Sequence, residues 1–135
     1  MTLVSEAMNR ALVEVPQDAS MAEAIAIVRR TGAEHVLVMD DQTLVGILCA
    51  SALRGARPDE QVRECMSAQV VTVRPDVGVE DAAATLCASS VGCLPVVVGG
   101  LILGTLSEAE LTRAGVGDPH PHCHHAHRRR SSTRN

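Results

Sequence analysis

The chain has 135 residues, a formal net charge of −4 and an apolar fraction of 46%, which suffices for one compact domain with its own core. Residues 1–117 carry 8 Arg against 15 Asp and Glu, and this acidic balance argues against nucleic-acid binding as the main role. Phe, Tyr, Trp and Lys are absent, so small branched side chains must close the core, and the composition indicates a GC-rich prokaryotic source.

The first half of the chain predicts a β-α-β-β-α repeat. Its elements, in chain order, are a short amphipathic turn (5–8), a strand (12–15), a helix, a hairpin of two strands (35–39 and 44–48) and a second helix that begins at Ser51. Ser20 and Glu23 have capping-box spacing at the start of the first helix, and Gly32 is placed to end it.

The second half predicts the same order of elements. They are a turn (63–66), a strand (70–73), a helix (79–90), a hairpin of two strands (94–98 and 101–106) and a helix that begins at Ser107. The glycine pair at 99–100 suits the tight turn of the hairpin.

The two halves are related by an offset of 58 residues. Residues 4–53 align with residues 62–111 without a gap, and 12 of these 50 positions are identical. A single copy of this size buries too little surface to be stable alone, whereas two copies can pack sheet against sheet. The sequence therefore predicts an α+β fold of two pseudo-symmetric repeats, residues 1–58 and 59–117, followed by a disordered tail at 118–135.

The ordered set of repeat motifs resembles the CBS (cystathionine-β-synthase) domain family, in a tandem pair over about residues 3–114. The second repeat carries the resemblance best, in residues 62–66 (VRECM), 70–76 (VVTVRPD), 94–98 (LPVVV) and 104–111 (GTLSEAEL). The first repeat carries a weaker echo in residues 5–8, 36–39 and 46–53.

The resemblance implies a regulatory module with two clefts between its repeats, which in this family often hold AMP, ADP, ATP or S-adenosylmethionine. It implies that Ser107 takes the place of a hydroxyl near ribose or phosphate, and Glu110 the place of an aspartate that bonds ribose hydroxyls. In the first repeat Cys49 and Ala52 take these places, so we expect the first cleft to be weak or empty for adenosine ligands.

Further residues of the second repeat are candidates for the ligand site. They are Val70, Thr72, Leu94, Pro95, Val96 and, as a possible phosphate contact, Arg113. Each also has a purely structural interpretation. Ser107 and Glu110 form a capping box by spacing alone, Pro95 suits a strand edge, Thr72 suits a half-buried strand, and Arg113 could be solvated.

The tail holds five His and one Cys within ten residues. These potential ligands for Zn²⁺, Ni²⁺ or Cu are His120, His122, Cys123, His124, His125 and His127. Their spacing matches no structural zinc motif, so physiological and adventitious metal binding both remain open.

Targeting and cysteine patterns predict a cytoplasmic protein. Residues 1–9 lack a basic region followed by an apolar run, and no apolar stretch approaches the roughly 20 residues that span a bilayer. The five Cys show no C-x-x-C spacing and four lie in apolar elements, which indicates reduced, buried thiols. A redox role for Cys87 and Cys93, on a predicted helix and the strand that follows it, is the alternative, since sequence does not give their distance.

No catalytic combination is evident, since residues 1–117 contain one His, no Lys and no Ser-His-Asp or Cys-His set. We therefore predict a non-enzymatic sensor of an adenosine ligand that needs no cofactor, forms a homodimer and acts on a partner in trans, without binding nucleic acid or membrane. The alternatives are a ligand-free interaction scaffold and metal handling through the tail.

Overall fold

The computed structural model describes residues 1–89 and 92–116, which form two compact units. Arg10–Val71 form one of them, the first-repeat unit. Met1–Asn9, together with residues 72–89 and 92–116, form the second-repeat unit. Each unit thus combines most of one repeat with the first residues of the other. We call these residues the leading segments, 1–9 of the first repeat and 59–71 of the second.

Helices and strands alternate in the order that the sequence predicts. The helices are α1 (Val4–Ala7), α2 (Met21–Thr31), α3 (Ala50–Arg54), α4 (Val62–Cys65), α5 (Val79–Ala88) and α6 (Glu108–Arg113). The strands are β1 (Glu14–Pro16), β2 (His35–Asp40), β3 (Thr43–Cys49), β4 (Cys93–Val98) and β5 (Leu101–Ser107). The 58-residue offset superimposes β2 on β4 and β3 on β5 residue for residue, and the predicted α+β class is confirmed.

The first-repeat unit contains a three-stranded sheet in the order β1-β2-β3. β1 runs parallel to β2, and β2 pairs with β3 as an antiparallel hairpin. Helix α2 begins after Ser20, whose Oγ accepts the N–H of Glu23 at 3.2 Å, and ends at Gly32 with a left-handed φ of 72°. Both helix boundaries confirm the sequence prediction.

The core of the first-repeat unit joins α2, the inward faces of the sheet and α4. Its buried residues include Val15, Met21, Ala24, Val36, Val38, Leu48 and Val62. Val62 belongs to α4, the leading helix of the second repeat. This helix therefore contributes to the core of the first-repeat unit rather than to the core of the second.

The two leading helices, α1 and α4, are four residues long and too short to be stable alone. In each, a glutamate accepts the backbone N–H three residues earlier: Glu6 from Leu3 at 2.8 Å, and Glu64 from Gln61 at 2.9 Å. These glutamates are identical between the repeats because each one satisfies a free N–H at the start of its helix.

A tight backbone crossing holds each leading segment to its sheet. Ser67 exchanges two backbone hydrogen bonds with Ile47 of β3, at 2.8 and 2.9 Å. Asn9 makes the equivalent pair with Thr105 of β5, also at 2.8 and 2.9 Å. Beside the second crossing, a Cβ on Gly104 would lie 2.6 Å from the carbonyl oxygen of Asn9, so only glycine fits without a shift.

The second-repeat unit lacks a counterpart of β1, so the predicted strand at 70–73 is wrong. In the first-repeat unit the N–H of Leu37 donates to the carbonyl oxygen of Val13 at 2.8 Å. The equivalent position in the second repeat is Pro95, which has no N–H. Pro75 likewise replaces Gln17, whose N–H donates to the carbonyl oxygen of Met39 at 2.9 Å, and the parallel pairing is reduced to one isolated bridge between Val73 and Val96.

Two smaller expectations also change. Helix α3 begins at Ala50 with Cys49 as its N-cap, one residue earlier than expected. Ser107 is the N-cap of α6 rather than its first residue.

Candidate functional site

The end of β5 and the start of α6 bring together a serine, a glutamate and an arginine. The Oε1 atom of Glu110 accepts both the backbone N–H of Ser107 at 2.7 Å and the Ser107 hydroxyl at 2.6 Å. Its Oε2 atom accepts from Nη2 of Arg113 at 2.8 Å. Glu110 thus caps the N-terminus of α6, as its three-residue spacing from Ser107 predicts. It also forms an ion pair with the guanidinium of Arg113.

Burial divides this cluster into a fixed part and an exposed part. Ser107 and Glu110 are buried, and only 7% of the Glu110 side chain is exposed. The Arg113 side chain is 71% exposed. A buried carboxylate is stable only when its oxygens are hydrogen-bonded, and here Arg113 is the one partner that solvent reaches freely.

The predicted lining residues are distributed differently. Leu94 and Val96 are fully buried in the core, and Pro95 is buried with its carbonyl oxygen accepting the N–H of Val73 at 3.0 Å. Thr72 is exposed and directly precedes Val73, so it lies beside β4 in the same unit. Val70 is half-buried and belongs to the first-repeat unit.

The equivalent position in the first-repeat unit carries no polar cluster. Cys49 caps α3 without a side-chain hydrogen bond, and burial raises the pKa of its thiol. Ala52 is half-buried and packs against the core, where it offers no acceptor. The two repeats share only the position that Cys49 and Ser107 occupy, which ends a strand and caps the next helix. The polar side-chain contacts of the second repeat have no counterpart in the first.

A second thiol, Cys65, lies beside a carboxylate. Its Sγ donates to Oε2 of Glu60 at 3.7 Å, and Oε1 of Glu60 accepts the N–H of Arg57 at 2.7 Å. Burial, the negative charge of Glu60, this hydrogen bond and the charge of Glu64 raise the pKa of the Cys65 thiol. Cys49 and Cys65 are therefore protonated at neutral pH and weakly nucleophilic.

The structure tests the metal and membrane expectations only where it describes the chain. Within residues 1–89 and 92–116, no three His, Cys, Asp or Glu side chains are grouped so that they could hold a metal ion. The six candidate metal ligands at 120–127 lie outside the described residues. None of the described helices combines the length and the apolarity needed to cross a membrane.

The sequence model of the CBS domain matches twice, at residues 4–59 and 62–117. No significant match to a curated protein is found. Among solved structures, the CBS-domain protein NE2398 is 28% identical, with a TM-score of 0.76 over 87% of this chain and 100% of that one.

Two further structures contain adenosine ligands. The cytosolic domain of the Mg²⁺ channel MgtE in complex with ATP is 26% identical, with a TM-score of 0.69 over 79% of this chain and 46% of that one. The domain pair of protein MJ0100, in complex with 5′-methylthioadenosine and S-adenosyl-L-methionine, is 22% identical, with a TM-score of 0.77 over 85% of this chain and 96% of that one.

Proposed function

Because the chain belongs to the CBS-domain family, we propose that it is a regulatory module that senses an adenosine ligand, and that the ligand binds at Ser107 and Glu110 of the second-repeat unit. The observation that supports this proposal most directly is the buried Glu110 carboxylate. It accepts two hydrogen bonds from Ser107 and one from the exposed Arg113. The further contacts we propose are Thr72 and Arg113, the two candidates of the same unit whose side chains are exposed.

The chemistry of the cluster supports this assignment. Ribose presents two adjacent hydroxyl donors, and a carboxylate held at a fixed angle accepts such a pair well. ATP, S-adenosylmethionine and methylthioadenosine, the ligands of the MgtE and MJ0100 structures, all contain this diol. The shared group, rather than the base alone, is what Glu110 is suited to recognise.

We propose one working site rather than two. Ala52 replaces the carboxylate in the first repeat, and the loss of a charged hydrogen bond costs about 1.5–3 kcal/mol. Such a loss weakens binding roughly tenfold to a hundredfold. The first-repeat unit is therefore expected to bind adenosine ligands poorly at concentrations that fill the second.

The remaining parts of the proposal rest on the family for the regulatory role and the homodimer, and on the composition and cysteine pattern for the source and location. The protein is a non-catalytic, cytoplasmic homodimer of prokaryotic origin that needs no cofactor and transmits ligand occupancy to a partner protein in trans. The low reactivity of Cys49 and Cys65 agrees with a non-catalytic role.

One observation favours a second candidate, a ligand-free interaction scaffold. Both oxygens of Glu110 already have partners within α6 and its N-cap. The pair therefore stabilises the helix without any ligand, as a capping pair does elsewhere.

A thermal-shift and calorimetry panel with AMP, ADP, ATP and S-adenosylmethionine, in the presence of a chelator, separates the two candidates. Because the chain has no aromatic residue, the thermal shift needs an added dye. Ligand at a hundred times its Kd stabilises the folded state by about 2.7 kcal/mol, a shift of several degrees in Tm.

The double variant Ser107→Ala, Glu110→Ala should lose this shift. The matched control is Ser20→Ala, Glu23→Ala, because that pair caps α2 in the first-repeat unit and has no proposed ligand role. Flat melting curves for the unaltered protein with all four ligands at millimolar concentration would refute the sensor and leave the scaffold.

A further inference from the structure

We infer that two copies of the chain associate through unlike helices, with α2 of one copy packed antiparallel against α5 of the other. This pairing rests on the homodimer of the proposed function, and it adds the two surfaces that meet and the direction in which they meet. The charge and the exposure of the outward faces of these two helices carry it.

The outward face of α2 is small in its first turns and basic at its end. Ala22 and Ala26 lie one turn apart on this face, and both are exposed. Arg29 and Arg30 follow in the last turn and are exposed as well. Glu23 is the single acidic residue of the helix, so two arginines against one glutamate give α2 a formal net charge of +1.

The outward face of α5 carries charge of the opposite sign. Glu80 and Asp81 occupy the first turn and are exposed, and α5 contains no basic residue, so its formal net charge is −2. Ala84 and Ala88 are the exposed residues of the following turns. The two helices therefore present faces of similar small size and of complementary charge.

An antiparallel contact between α2 and α5 matches these features along both helices. With Ala26 opposite Ala84, the two arginines at the end of α2 lie opposite Glu80 and Asp81, because each charged pair is three or four residues, about one turn, from its central alanine. Alanine at the crossing lets the helix axes approach to the short end of the usual range of about 8–10 Å. A parallel contact would instead place the arginines beside Ala88.

The same charges oppose contacts between identical helices. Two copies of α5 would bring together the carboxylates of Glu80 and Asp81 from both chains without a basic residue between them, and two copies of α2 would bring together faces of the same net sign. Like charges that face each other across an interface are costly, whereas complementary charges determine partner and orientation. The unlike pairing is therefore favoured, and two-fold symmetry makes it occur twice in one dimer.

Charge reversal followed by sedimentation velocity tests this pairing, with interference optics because the chain has no aromatic residue. Arg29→Glu with Arg30→Glu should weaken dimerisation at least about tenfold, and so should Glu80→Arg with Asp81→Arg. The variant with all four substitutions should recover the dimer, because complementary charges then face each other with their signs exchanged. A contact between identical helices would not recover, since each face would still meet its own sign.

The matched control is Arg63→Glu with Arg74→Glu, which reverses two exposed arginines outside both helices and changes the net charge as much as the α2 variant does. This control should remain dimeric. All substituted side chains are exposed, so the variants should fold, which their melting temperatures check.

The outcomes separate this pairing from the rest of the proposed function. Reversal variants that stay dimeric, or a fourfold variant that does not recover, would overturn the unlike pairing while the homodimer stands. An unaltered protein that is monomeric at every concentration tested would overturn the pairing and the homodimer together. The ligand panel decides on the adenosine sensor in either case, because it measures binding and not association.

Discussion

Leu37 and Pro95 occupy equivalent positions 58 residues apart, and only Leu37 can donate a backbone hydrogen bond to a neighbouring strand. Its N–H reaches the carbonyl oxygen of Val13 at 2.8 Å, and the parallel pairing of β1 with β2 continues from there. In the second-repeat unit, Val73 donates instead to the carbonyl oxygen of Pro95 at 3.0 Å, and a single bridge results. Gln17, which donates to the carbonyl oxygen of Met39 at 2.9 Å, is likewise replaced by Pro75, so two missing N–H groups separate a three-stranded sheet from a two-stranded one.

Leu37→Pro should therefore destabilise the first-repeat unit beyond the effect of side-chain loss. Leu37→Ala is the matched control because it removes the buried side chain and keeps the N–H. We expect Leu37→Pro to lower the free energy of unfolding by about 1–3 kcal/mol more than Leu37→Ala does, because the carbonyl oxygen of Val13 loses its donor. Urea denaturation followed by far-UV circular dichroism measures both. Equal losses would show that the bond to Val13 is dispensable.

Gly104→Ala should lower the free energy of unfolding because it disturbs the packing of residues 1–9 against β5. The added Cβ would lie 2.6 Å from the carbonyl oxygen of Asn9 and 3.0 Å from Sδ of Met8. Such overpacking costs about 1–3 kcal/mol. Gly55→Ala is the control, since no atom lies within 4 Å of its Cβ position and its φ of −103° suits alanine. A Gly104→Ala protein as stable as the Gly55→Ala protein would contradict the close crossing.

Glu60→Gln should make Cys65 more reactive. Removal of the glutamate charge lowers the raised pKa of the thiol, so more thiolate is present at a given pH below that pKa. A charge about 4 Å away in a water-like dielectric contributes about 1 kcal/mol, roughly a fivefold change in thiolate. Iodoacetamide labelling with peptide mapping measures the rate across pH 7–10.

Cys49 provides the internal control for this labelling, because burial alone raises its pKa. Its rate should be the same in both proteins, while the rate profile of Cys65 moves to lower pH in Glu60→Gln. An unchanged Cys65 profile would mean that the charge of Glu60 does not raise its pKa.

A double-mutant cycle with Glu110→Gln and Arg113→Gln should reveal coupling between the two residues in the absence of ligand. The buried carboxylate makes the pair stronger than an exposed one, and we expect a coupling energy of about 1 kcal/mol. The same cycle on the exposed Arg74–Asp76 pair should give no measurable coupling. Additive effects at Glu110 and Arg113 would show that the contact contributes nothing to stability.

Local sequence patterns predicted most of the fold because helix ends and hairpin turns depend on residues close together in the chain. Gly32 ends α2 through its left-handed conformation, and the glycines at 99 and 100 both adopt positive φ in the hairpin turn. The strand predicted at 70–73 does not form because the backbone donors that pair it with β4 are replaced by Pro75 and by Pro95, the latter more than 20 residues away.

The site was predicted only in part for a similar reason. The spacing of Ser107 and Glu110 predicts their hydrogen bond, since three residues separate an N-cap from the side chain that reaches back to it. The contact from Arg113 to the same carboxylate was missed, although an i, i+3 pair of opposite charge on a helix was a readable signal. The burial of Leu94 and Val96 in the core was also missed, although the unbroken apolar run at 93–98 is a readable signal of a strand buried on both faces.

The exchanged leading segments limit how the chain can be divided. A fragment cut at the repeat boundary would keep its own leading helix but lose the sheet against which that helix packs. It would also lose the leading helix of the other repeat, which contributes to the core of the fragment's unit. A chain with a single repeat could complete its unit only by folding its own leading segment back or by taking one from a second copy. Two repeats in one chain remove that dependence, so the pair, and not the repeat, is the smallest self-sufficient piece of this architecture.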